Sequence, residues 1–501
     1  MNRSLPMMTL AMCVNWNVFI AVLCSAIVVP PSASVAASPT EAKLVAASLT
    51  PSKTAPMSGI DYLGMTAFDG MAIDGSGLDS ALEDQSPANR MGGFSAIEYT
   101  GNDDRFVLLA DRGAGDGAVS FPCRMHAVDL RIGEPIGENE ASQIEVEFVS
   151  TTLLTASDSS PLNGSEATSI IDRSQSKEQV WHALDPEGIR RWRGGFLVSD
   201  EYGPHVAMFS LAGQMTSEWK LPASRSYGVL PKDAAVGEKA YGCFDNKGLE
   251  GLAVTPMETT VWASYQSSLL QDGEMDGAKC RGDLVRWIAF NPEGQRVREA
   301  AYPLDHRKSG ISELLAVDED RFLVLERDSK EGSEAITKRI FIADVRGSTD
   351  ISSVEALPSD KECLLESEQP IQLVQKRPLI DLMDWQDELG DAATAEKPEG
   401  LAWGKPLPDG RRTLWICWDN DFDPARQSYL ACFAVDLNQY RLQRDLASKR
   451  LGKHVTGTSS VFPCWPGPSC HSSTAMDSMH RIGCGDNAFK PASEDITEVL
   501  A

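Results

Sequence analysis

At 501 residues, with 42% hydrophobic content and 40 glycines, the chain has the composition of a globular, mostly β protein with a substantial core. A formal charge of −26 excludes nucleic acid as a partner, because phosphate backbones require a basic surface. An anionic substrate would need local arginine, lysine or metal charge.

The chain opens as a targeting segment. Arg3 gives a positive start, Val18 to Val29 is apolar apart from Cys24 and Ser25, and small residues follow at Ala33, Ala36 and Ala37. This reads as a signal peptide over residues 1–37, cleaved near Ala37, so the chain is expected to be exported to the periplasm, cell surface or medium. The apolar run is short for a membrane span, and no later stretch reaches 18 apolar residues, so no span is expected in the mature chain. Residues 38–58, rich in Ala, Ser, Thr and Pro, read as a linker.

From Ile60 the chain becomes short apolar runs punctuated by Gly, Asp, Asn and Pro, and one short sentence recurs five times. The copies are Gly93-Phe94-Ser95-Ala96-Ile97, Pro186-Glu187-Gly188-Ile189, Gly248-Leu249-Glu250-Gly251-Leu252, Gly310-Ile311-Ser312-Glu313-Leu314 and Pro398-Glu399-Gly400-Leu401. Each precedes an apolar run ending in a polar pair: Asp111-Arg112, Asp200-Glu201, Tyr265-Gln266, Glu326-Arg327 and Asp419-Asn420. Starts spaced about 60 to 90 residues apart mark a repeat architecture, and a radial one brings equivalent positions around one axis.

The runs predict strands at 105–110, 195–199, 261–264, 321–325 and 413–418, each followed after a loop by a further strand, such as 205–211, 284–291, 339–345 and 429–436. The expected fold is an all-β β-propeller over residues 59–454. Six blades is the preferred count, with five or seven allowed; Gln143 to Ala156 or Ile351 to Leu382 would supply the sixth. Residues 455–501 lose the rhythm and read as an irregular, Cys-containing extension.

Of 11 cysteines, nine follow the leader, and an exported chain can oxidise them. Cys417 and Cys432 sit symmetrically about Asp423-Pro424-Ala425-Arg426 as a candidate hairpin disulfide, and Cys243 and Cys280 bracket the third repeat. Cys464, Cys470 and Cys484 crowd the tail, and with no Cys-x-x-Cys, zinc is disfavoured.

In these stretches the sequence resembles the phytase-like family named for an esterase-like activity of phytase. The resemblance rests on Gly92-Gly93-Phe94-Ser95 with Asp111-Arg112-Gly113, Asp185-Pro186-Glu187-Gly188-Ile189 with Ser199-Asp200-Glu201-Tyr202-Gly203-Pro204, Asn246-Lys247-Gly248-Leu249-Glu250-Gly251-Leu252-Ala253, Leu323-Val324-Leu325-Glu326-Arg327-Asp328, and Pro398-Glu399-Gly400-Leu401 with Asp419-Asn420-Asp421-Phe422. It implies a propeller related in architecture to calcium-dependent phytases. This copy departs at Tyr265-Gln266 and in its tail.

Convergent carboxylates repel unless protonated or neutralised by a cation. Asp111, Glu187, Asp200, Glu250, Glu326, Glu399 and Asp419 are therefore the candidate ligands of a divalent metal, with calcium favoured by hard oxygens on loops. Such an ion grips a phosphoryl oxygen and acidifies bound water. Glu201, Arg112 and Arg327 are the candidate catalytic residues, the arginines because a guanidinium matches phosphate oxygens. The expected function is metal-dependent hydrolysis of phosphomonoesters or phosphodiesters. A propeller lactonase or carboxylesterase, or a non-catalytic scaffold, is the alternative, and for each carboxylate or arginine so is a purely structural pairing. His205 is a candidate acid–base or a surface imidazole. The sequence has no Gly-x-Ser-x-Gly elbow, and its Gly113 to Gly117 run lacks the lysine of a phosphate loop.

Overall fold

The computed structural model describes residues 59–135, 142–174, 181–226, 241–244, 246–276, 279–364 and 370–438. The expected leader, linker and C-terminal extension, with Cys464, Cys470 and Cys484, lie outside the described residues.

Strand β1 (Ile60–Phe68) leads into β2 (Phe94–Tyr99), β3 (Arg105–Ala110), β4 (Arg124–Pro135) and β5 (Ser142–Leu153), and β2 to β5 form one antiparallel sheet. The second sheet is β6 (Pro186–Trp192), β7 (Gly195–Asp200), β8 (His205–Ser210) and β9 (Met215–Lys220). In the third, β10 (Leu249–Val254) and β11 (Val261–Tyr265) are followed by a separate hairpin, β12 (Glu274–Asp276) with β13 (Lys279–Arg281), before β14 (Leu284–Phe290) and β15 (Arg296–Pro303) complete the sheet. The fourth is β16 (Ser309–Ala316), β17 (Arg321–Asp328), β18 (Lys338–Asp344) and β19 (Gln375–Asp381). The last three strands are β20 (Pro398–Trp403), β21 (Arg412–Trp418) and β22 (Ser428–Val435), and β1 pairs with β22 to make their sheet four-stranded. Closing the ring with the first strand removes the open edge that a linear array would leave.

The described residues thus form a five-bladed propeller, not the six-bladed one preferred from sequence. Both segments that could have held a sixth blade complete existing blades: 142–153 is the outer strand of the first and 375–381 the outer strand of the fourth. A short strand carries no mark of which sheet it joins, since pairing is decided by the neighbour it meets.

Apolar faces of adjacent blades pack against each other. Phe106 and Trp415 meet across the first and fifth blades at 5.3 Å, and Trp262 and Phe322 across the third and fourth at 5.9 Å. The five inner strands approach so closely that side chains become impossible at some positions. A Cβ on Gly251 would lie 2.7 Å from Leu314 N, and one on Gly400 would lie 2.8 Å from the Ala96 Cα. That explains the glycine of the recurring sentence: it lets neighbouring inner strands touch.

All six cysteines among the described residues are free thiols. Cys417 lies opposite Leu430, and Cys432 opposite Trp415, so the expected hairpin pair is two residues out of register.

Candidate functional site

Every inner strand carries a register break at the Ser or Glu of the recurring sentence. The ladder skips Ser95 in β2, Ser312 in β16 and Glu399 in β20, and skips Glu187-Gly188 in β6 and Glu250-Gly251 in β10. A bulge re-aims its side chain, and here all five, Ser95, Glu187, Glu250, Ser312 and Glu399, line one cavity of about 730 Å³. A second ring comes from the ends of the second strands. Asp111, Glu201, Gln266, Arg327 and Asp419 hold equivalent places in the ladders, and all five line the same cavity. Beneath it, Arg190 of β6 donates to Ile97 O at 3.3 Å and Leu314 O at 2.7 Å, and meets Glu313 at 2.7 Å. That guanidinium thus ties the second blade to the first and the fourth.

The ladder also decides which member of each polar pair reaches the cavity, because successive residues of a strand face opposite ways. Glu326 and Asp200, expected as metal ligands, are not brought to it. Glu326 accepts from the Tyr302 hydroxyl at 2.6 Å and Asp305 N at 3.0 Å, and pairs with Lys376. Asp200 accepts from Asp185 N and Gly203 N and lies 3.1 Å from His205 Nδ1. His205 is buried rather than at the surface and lies outside the cavity lining; burial opposes its charge, but the Asp200 carboxylate outweighs it and pushes the pKa up to about 9.

The remaining eight expected residues come together, with two cations divided among them. Arg327 donates to Ser312 Oγ at 3.0 Å and pairs with Glu399. Arg112 pairs with Asp185 at 2.9 Å and with Asp116. Both guanidiniums are thus tied to carboxylates, the structural role that the sequence left open. Asp419 pairs with Lys397 at 2.8 Å.

Among the described residues Glu187, Glu201 and Glu250, on the second and third blades, have no lysine or arginine paired to them, and Asp185 beside them shares Arg112 with Asp116. Asp185, Glu187 and Glu201 each offer an oxygen within 4.8 Å of the others, a group able to hold a metal ion. Glu201 Oε1 and Glu250 Oε2 are buried with no hydrogen-bond partner among the described residues, and a buried orphan carboxylate oxygen is costly without a cation. The electrostatics agree. Glu187 is raised well above the carboxylate range by burial and by Glu250; Glu250 by burial and by Glu201; and Asp185, despite Arg112, is pushed up to about 7 by burial. These residues fit a divalent cation: hard oxygen donors, excess negative charge and vacant lone pairs. Asp185 was missed from sequence, although it directly precedes the Pro-Glu-Gly copy; so was Lys397, at the equivalent place before the fifth.

The mouth is basic. Lys247, Lys279, Arg281, Arg307 and Lys308 line it from the loop before β10, from β13, and from the loop between β15 and β16. No carboxylate among the described residues pairs with Lys247, Lys279 or Lys308.

Residues 89–422, more than half of the chain, match the sequence profile of the phytase-like family described as "Esterase-like activity of phytase". The chain belongs to this family. This phytase-like chain is also 24% identical over 371 residues to an uncharacterized secreted protein of Arthroderma benhamiae, covering 62% of this chain and 69% of that one. Among solved structures it is similar to the PQQ-bound aldose sugar dehydrogenase of Streptomyces coelicolor, at 12% identity and TM-score 0.30 over 79% of this chain and 99% of the other. A gluconolactonase of Xanthomonas campestris gives 9% identity and TM-score 0.29 over 77% and 97%. Among the described residues no helix is long and apolar enough to cross a membrane.

Proposed function

We propose that this phytase-like propeller is an exported, divalent-cation-dependent ester hydrolase that favours phosphoesters. One observation carries the reading: the same cavity is lined by Glu187, Glu201 and Glu250, which no described cation pairs, and by Lys247, Lys279 and Lys308, which no described carboxylate pairs. Asp185, Glu187 and Glu201 would hold the ion, with Glu250 Oε2 as a further donor, and calcium is the favoured ion for loop-borne oxygens. When bound, such an ion supplies Lewis acidity and a water of lowered pKa.

The chain's own residues do the rest. Arg112, fixed to Asp185 through both its backbone and guanidinium nitrogens, holds that carboxylate in place. Arg327 does the same for Glu399, so both arginines position carboxylates, and Lys247, Arg307 and Lys308 receive the anionic group. Lys247, Lys279 and Lys308, which no described carboxylate pairs, favour a phosphoester over a neutral lactone, because a neutral ester gains nothing from them.

Purified mature protein should hydrolyse members of a phosphomonoester and phosphodiester panel, lose activity in chelator and regain it with calcium. Silence across that panel with metal supplied sinks the phosphoester assignment. Turnover of lactones or acyl esters instead would move the same cavity to carboxylic esters.

A further inference from the structure

The segment Asp185-Pro186-Glu187-Gly188 of the second blade returns in the fifth as Lys397-Pro398-Glu399-Gly400. Both run into bulged inner strands, β6 and β20, so Asp185 and Lys397 occupy equivalent places around the ring. The correspondence extends to the next strand, where Glu201 matches Asp419 in the ladder. In the second blade these positions hold Asp185, Glu187 and Glu201, three acids with oxygens within 4.8 Å of one another. In the fifth they hold Lys397, Glu399 and Asp419. One acid has become a lysine.

That lysine sits where a cation would. Its Nζ lies 2.8 Å from Asp419 Oδ2 and contacts Asp421. Asp111, from the first blade, is buried beside them; its carboxyl is raised well above the ordinary range by burial and by Asp419, and the Lys397 charge works against that rise. Asp111 and Asp419 are 8% and 9% exposed, too deep for bulk water to screen their repulsion.

We propose that Lys397 stands in for a second divalent cation: the fifth blade holds a cation site whose charge is supplied by a tethered ammonium, so the cavity takes one ion, on the second-blade side, rather than two. The claim rests on the cation reading above only for that first ion. A tethered ammonium cannot dissociate, and it brings one charge rather than two. The Asp111–Asp419 side is therefore neutralised whether or not metal is present.

Lys397→Asp rebuilds the Asp-Pro-Glu-Gly segment, and bound calcium per chain is counted in both proteins by titration calorimetry and by elemental analysis after gel filtration. The variant should bind one more calcium than wild type. Lys397→Ala covers the case in which the aspartate variant fails to fold. It should melt below wild type in chelator, and calcium should raise its Tm by about 5 °C or more beyond the rise in wild type. Two ions on wild type, no added ion on Lys397→Asp, or a calcium response of Lys397→Ala equal to wild type each overturn the proposal. A wild type that binds none beside an aspartate variant that binds one upholds it, and refutes only the reading of the first ion.

Discussion

Arg327 reaches from the fourth blade to Glu399 in the fifth, with its Nε 3.3 Å from Glu399 Oε2 and its Nη2 on the other carboxylate oxygen. The pair is almost wholly enclosed, at 12% and 7% side-chain exposure, and it joins two strands that share no ladder. Removing one partner of such a pair leaves a charge stranded in the interior. Arg327→Met should therefore lower unfolding stability by about 3 kcal/mol or more, read from the urea midpoint at constant slope. A loss below about 1 kcal/mol would mean that water reaches Glu399 and the pair is worth no more than a surface bridge.

Calcium should raise the melting temperature of wild type, because an ion held by Asp185, Glu187 and Glu201 binds the folded chain alone. Glu250→Gln keeps shape and removes one of the charges crowding Glu187. The variant should fold, melt no lower than wild type in chelator, and lose most of the calcium-dependent gain. Melting curves of both proteins in calcium and in chelator decide it. If wild type shows no shift with calcium, these carboxylates are structural.

The buried His205–Asp200 pair predicts a pH dependence with a definite sign. The folded pKa of about 9 lies above the ordinary 6.5 of an unfolded histidine, so the pair's stabilisation is complete below pH 6.5 and is lost as pH rises through 9. At about 1.4 kcal/mol per pH unit, the loss is up to about 3 kcal/mol. Wild-type stability should fall between pH 6.5 and 9, and His205→Gln should flatten that limb. Equal slopes in both proteins would assign the dependence to another group.

Gly251→Ala tests the closeness of the inner strands. The added Cβ would meet Leu314 N at 2.7 Å and the Glu313 carbonyl carbon at 2.9 Å, both backbone atoms that no rotamer change relieves. The substitution should cost about 1–3 kcal/mol in the urea midpoint measurement. Lys330→Ala is the control, because that side chain is more than half exposed and its ion pair with Glu334 lies at the surface. A Gly251→Ala protein as stable as Lys330→Ala would show that the inner strands can spread.

The propeller was legible in the sequence because its signal is local. Apolar runs such as 105–110 and 413–418, separated by turn residues, became β3 and β21 with little change at their ends. The recurring Pro-Glu-Gly and Leu-Glu-Gly copies likewise marked the inner strands, since each bulge needs a polar residue to aim inward and each contact needs a small one beside it. Blade number was not local: Ile60–Phe68 belongs to the fifth blade only because it pairs with Ser428–Val435, more than 300 positions later in the chain. Nor was the inward member of each polar pair. Glu326 and Arg327 are neighbours in sequence, and a shift of one residue in the ladder exchanges their faces. The partnerships of Asp185 with Arg112 and of Arg327 with Glu399 join different blades, so only the closed ring brings them into reach. Residue types and spacing determine which groups are available to the cavity; strand register and ring closure decide which of them meet there, because charge interactions depend on distance in space and not along the chain.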